Sequence, residues 1–282
     1  MKQIRFLFCG LLAAGTMLQP VQARSEYPGY YGGFGSADYC QEKTVIVSIF
    51  ADDVNCSWNF NDDDDYREYS TAYFALQKGV EWVEDQIHNR NGSASIVWDW
   101  YNNDYMYYEA HFDEEMLSGN GNTWQLCNEF IEQNIDCEWI TNMYCADNIV
   151  FNFYFDGEGQ DDTWAYCYPC WGVVPDDSYR YEFAVFNCGH TYDPTPAVYA
   201  HELLHLFGAP DYYYGSEYIP QSYADYLQDI GATEIMFGYE GVNYDYVDAY
   251  FSDLTAYYIG LCEAPWEFYE FTLRESLFDQ IS

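Results

Sequence analysis

The segment "HELLHLFGAPD", His201 to Asp211, constrains this chain more than any other stretch. It predicts a helix followed at once by a sharp turn. Residues four apart on an α-helix are separated by about 400°, so His201 and His205 share one face, one turn apart. Leu203, Leu204, Leu206 and Phe207 fall on the other faces and predict a helix sunk into a core. Gly208 permits the left-handed backbone that ends a helix, and Pro210 prevents its continuation. A chain turned back at that point can bring Asp211 toward the two imidazoles.

Two histidines one turn apart form half of a zinc site, since imidazole nitrogens bind that ion at about 2.0–2.1 Å. A catalytic zinc needs a third protein ligand and one open position for water. Asp211 is the candidate third ligand, with His201 and His205 as the first two. Glu202 projects beside them, placed to contact a water rather than the ion, and is the candidate general base. Glu217, Glu234 and Glu240 are the alternative carboxylates for the third position. His88, His111 and His190 read as surface residues.

This string resembles the zinc helix of the metzincin metallopeptidases, His-Glu-x-x-His-x-x-Gly-x-x-His/Asp. Its aspartate form, followed by tyrosine, is similar to the immune inhibitor A and snapalysin types. The resemblance implies a methionine turn beneath the metal, and "ATEIMFGYEG" supplies Met236 for it. Several metzincins place a tyrosine two positions after that methionine; here Gly238 stands there and Tyr239 follows one later. Tyr239 and Tyr212 to Tyr214 are the candidates for steadying an oxyanion. The implied activity is that of a zinc endopeptidase acting on peptide or protein substrates, with zinc polarising the scissile carbonyl and acidifying its water. The strong resemblance covers residues 201–240, and the remainder is similar only in the order of its elements. Two other readings compete with it: a non-catalytic zinc-containing binding or surface protein, and a zinc amidase acting on a non-protein substrate. The retained Glu202 favours catalysis.

The start of the chain predicts export. Lys2 and Arg5 precede an apolar run from Phe6 to Leu18, and Val21-Gln22-Ala23 is a small-residue exit, so residues 1–23 read as a signal peptide. No later run is long and apolar enough to span a bilayer, and no stable membrane insertion is expected. Cleavage removes two cations and takes the formal charge from −38 to about −40. So acidic a surface repels nucleic acid and anionic membranes, and suits cationic substrates, calcium, a salty environment or simply solubility. The acidic stretches Phe155–Asp162 and Asn61–Asp65 read as solvated acidic loops, with calcium loops as the alternative, neither in EF-hand order. Of the 10 cysteines, all but Cys9 remain after cleavage, and in an exported protein they are expected to form disulfides, with one left over. Cys167 and Cys170, in "CYPC", read as structural cysteines, and Cys40 as a candidate latency thiolate.

The expected fold class is α/β (α+β): a twisted sheet with a backing helix and an active-site helix, followed by an irregular C-terminal part. Strands are expected over 44–53, 93–100, 105–113, 148–157 and 181–189. Helices are expected over 69–88, 122–135 and through His201–His205, with Asn122 and Gly92 as caps. Residues 24–43 read as an irregular Gly- and Tyr-rich lead-in, 44–262 as the catalytic domain, and 263–282 as an extension.

Overall fold

The computed structural model describes residues 43–117, 122–157, 165–168, 181–188, 193–213, 219–238, 241, 243–262, 265, 266, 268 and 271. The expected signal peptide, nearly all of the expected lead-in and most of the expected C-terminal extension lie outside the described residues. Among the described residues the architecture is mixed α/β, with a six-stranded, mostly parallel sheet and six α-helices.

The central strand is β1 (Lys43–Asp52), buried on both faces over eight of its ten residues, as its unbroken apolar run requires. One edge of β1 pairs in parallel with β4 (Asn148–Phe155). Its other edge is shared by two short strands. β2 (Ser95–Val97) takes the first part, and β3 (Tyr107–His111) takes the last. Beyond β4 lie β6 (Phe183–Asn187), parallel to it, and β5 (Ala165–Tyr168), antiparallel to β6.

Side chains alternate across this sheet and divide the core in two. Phe50, Tyr154 and Phe186 face α1 (Asp63–His88) and α4 (Pro196–Leu206). Phe50 packs 4.7 Å from the Tyr69 ring, and Phe186 4.4 Å from that of Tyr199. Phe153 faces the opposite way, against Phe130 of α2 (Thr123–Asn134) and Phe112. Helix α3 (Cys137–Tyr144) follows α2 and leads into β4.

Three local expectations are corrected. Helix α1 begins at Asp63, six residues before the expected start, so Asp63 to Asp65 of the four-aspartate run lie in its first turn rather than in a loop. Aspartates there meet the positive end of the helix dipole. Its C-terminus is closed by Asn91 in the left-handed conformation (φ 65°), with Gly92 N–H donating to the Ile87 carbonyl; the glycine is the residue after the special one. Asn122 does not cap α2 with its side chain, because its own backbone is already helical and its amide turns to Glu114.

Helices α1 and α4 touch at Gly79. A β-carbon there would lie 2.9 Å from the Pro196 carbonyl, 3.0 Å from Tyr199 Cβ and 3.1 Å from the Ala200 nitrogen. Only a glycine allows the backing helix to approach the first turns of α4 so closely.

Candidate metal centre

Helix α4 is buried at every position except the half-buried His201 and His205, and Glu202 is the one carboxylate among its buried side chains. It starts at Pro196, where the missing N–H costs nothing. It stops at Gly208, whose φ is 101°; Gly208 N–H donates to the His205 carbonyl and Ala209 N–H to that of Leu204. That left-handed stop reverses the chain and returns Asp211 to the histidine face.

The three expected ligand atoms converge. His201 Nε2 and His205 Nε2 are 3.1 Å apart, and Asp211 Oδ1 lies 3.2 Å from the first and 3.3 Å from the second. Bonds of about 2.0–2.1 Å in tetrahedral geometry place neighbouring donor atoms about 3.3 Å apart, so this triangle fits a face of a zinc coordination sphere. The tautomers fit as well. His201 Nδ1 donates to the Ile235 carbonyl at 2.8 Å and His205 Nδ1 to that of Ala209 at 2.7 Å. Each Nε2 is therefore the ring nitrogen that faces the centre and would offer its lone pair to a metal ion. Asp211 Oδ1 is buried and faces the two imidazole nitrogens, where a metal ion shared by all three would satisfy it. Among the described residues this is the one group of three or more His, Cys, Asp or Glu side chains close enough to share a metal ion.

Electrostatics hold the cluster together. Burial works against a charged His201, but Asp211 and Glu202 outweigh it and raise its pKa to about 9. Burial would raise the Asp211 carboxyl, yet the two imidazoles hold it well below the usual carboxylate range. Glu202 is pushed up by burial, against the pull of His201 and His205. Its Oε2 is buried without a hydrogen-bond partner, beside the cluster.

Met236 is fully buried in a 3-10 turn, Ile235–Phe237, that touches both arms of the cluster. The Ile235 carbonyl holds His201, and the Met236 carbonyl accepts from Tyr212 N–H at 2.7 Å, next to Asp211. Glu234, one of the alternative ligands, is instead committed to that turn. Glu217, Glu240, Tyr214 and Tyr239 lie outside the described residues. Tyr212 is fully buried with its hydroxyl 3.1 Å from Thr255 Oγ1, which directs it away from any substrate. Tyr213 is partly exposed beside Gly238.

His88 bonds to the Ala94 carbonyl and His111 faces Asp113; neither joins the centre, and His190 lies outside the described residues. Cys40, Cys170 and most of the acidic Phe155–Asp162 stretch also lie outside them. Cys56, Cys127, Cys145 and Cys188 carry free thiols in this structure, and Cys167 sits on β5. Sequence reasoning missed the Glu234 network. Its only signal was a glutamate two residues before Met236. No described helix is long and apolar enough to cross a membrane. In comparisons with known proteins, no family model and no curated protein matches the chain.

Proposed function

We propose that this chain is a secreted, zinc-dependent endopeptidase of metzincin type. The observation that carries the reading is the triangle of His201 Nε2, His205 Nε2 and Asp211 Oδ1, whose sides suit zinc and whose histidine tautomers are already set. Zinc bound there would supply Lewis acidity to a peptide carbonyl and to water.

The protein's own groups supply the rest. Glu202 Oε2 has no competing donor, so its lone pairs are available to an incoming water. Burial raises its pKa above the ordinary carboxylate value, which strengthens it as a base and equips it to return the proton to the departing amine nitrogen. Two hydrogen-bonded imidazoles and a carboxylate returned by the Gly208 turn give a rigid platform, so little reorganisation is needed during the reaction. The acidic surface (formal charge −38 for the full chain) favours cationic peptides.

The test is chelation and reconstitution. The chain from residue 24 onward is expected to hold one zinc per molecule, to hydrolyse peptides, to lose activity on chelation, and to regain it with one equivalent of zinc. Peptide hydrolysis that survives complete removal of metal would refute the proposal.

A further inference from the structure

We propose that Glu234 is the positioning residue of the metal centre, a buried carboxylate that fixes both arms of the ligand cluster from behind. The inference rests on the zinc reading above and adds a role for a residue outside the ligand set.

Glu234 is 1% exposed, and both of its oxygens are engaged by backbone N–H groups and hydroxyls. Oε2 accepts from Met236 N–H at 2.6 Å and Phe237 N–H at 3.1 Å. Oε1 accepts from the Ser252 hydroxyl at 2.9 Å, the Ser252 N–H at 3.4 Å and, closely, the Thr255 hydroxyl. Burial pushes the Glu234 pKa up, and the five donors, more than the roughly four lone-pair sites of a carboxylate, pull against that shift. A buried charge otherwise so costly is here held by hydrogen bonds alone.

Two routes lead from this carboxylate to the cluster. Through the backbone, Oε2 shapes the turn whose Ile235 carbonyl orients His201 and whose Met236 carbonyl holds Tyr212 N–H. Through side chains, the Thr255 hydroxyl donates its hydrogen bond to Glu234, so the Tyr212 hydroxyl must donate to Thr255 Oγ1. Tyr212 is thereby clamped at its amide and at its hydroxyl, and Asp211 is the residue before it. The network touches no ligand atom. It decides where His201 and Asp211 point.

The experiment compares the wild type with Glu234→Gln, Thr255→Val and a control, Glu84→Gln, which alters a carboxylate that accepts from Ile96 N–H outside this network. Two readouts are taken on zinc-free protein: the His201 Nδ1–H proton resonance and the exchange rate of the Tyr212 amide. The third is zinc affinity by competition with a chromophoric chelator. Glu234→Gln is expected to shift the His201 resonance, speed Tyr212 exchange, and weaken zinc about 10–100-fold. Thr255→Val keeps the carboxylate and should affect mainly Tyr212 exchange and zinc affinity, so it decides the matter if Glu234→Gln does not fold. Glu84→Gln should leave all three unchanged. Folded variants with wild-type resonance, exchange and affinity would overturn the role. A wild type that binds no zinc would sink the zinc reading, while the two zinc-free readouts still judge the positioning.

Discussion

Gly79→Ala isolates one contact on which the site helix depends. In a helix interior, replacing glycine by alanine ordinarily stabilises by about 1 kcal/mol. Here the added methyl would sit 2.9 Å from the Pro196 carbonyl, 3.0 Å from Tyr199 Cβ and 3.1 Å from the Ala200 nitrogen. Comfortable contacts between such atoms lie at about 3.5–4.0 Å, so the helices must separate by roughly half an ångström. Two of the three neighbours are backbone atoms and cannot rotate aside. Overpacking of this kind costs about 1–3 kcal/mol. Toward the upper end of that range it exceeds the propensity gain, leaving a net loss of about 1–2 kcal/mol. For a domain of this size that lowers Tm by about 2–8 °C. The displaced segment is Pro196–Ala200, which leads directly into His201, so zinc affinity should fall along with stability. Thermal unfolding of the zinc-free protein and chelator competition read the two effects. An unchanged or raised Tm would refute the close-packing argument, because the propensity gain would then have won.

Two further predictions use the electrostatics and the backbone. In the zinc-free protein, His201 has a pKa of about 9, raised above its ordinary 6.5. A raised folded-state pKa gives stability that is complete below 6.5 and lost as pH rises through 9. Tm of the zinc-free protein should therefore fall between those values, and Asp211→Asn should flatten the slope; a wild-type slope identical to that of Asp211→Asn would contradict the pairing. Cys145 closes α3 in the left-handed conformation at φ 51°, with Ala146 N–H donating to the Thr141 carbonyl. Cys145→Gly should relieve that strain and stabilise by about 0.5–1 kcal/mol, measurable by urea unfolding; destabilisation would show that the thiol contributes more than the strain costs.

The parts of the fold legible in the sequence are those fixed by local chemistry. β1 and β4 announce themselves as β-branched and aromatic runs that only a strand buried on both faces can use. The convergence of His201, His205 and Asp211 follows from helical periodicity and one glycine, all within eleven residues. What stayed hidden depends on partners distant in the chain. Gly79 looks like a weak point in α1 until α4 is laid across it, 117 residues later at Pro196. Glu234 looks like a spare ligand until Ser252 and Thr255 arrive to satisfy it. The short helices α3, α5 (Gln221–Asp229) and α6 (Asp253–Tyr258) and the four-residue β5 carry too few turns or alternations to stand out. The early start of α1 was masked by its aspartates, which read as solvated loop yet suit a helix N-terminus.

The central claim is that Glu202 acts as the base in peptide hydrolysis at this centre, and mass-spectrometric mapping of cuts in a complex peptide mixture tests it most directly. Wild-type protein and Glu202→Gln are compared after both are shown to be folded and to hold zinc. The wild type should cut, the residues flanking its cuts should define its specificity, and the variant should cut about 10²–10⁴-fold more slowly. Equal cutting by the two proteins, or none by a folded, zinc-loaded wild type, would contradict the account.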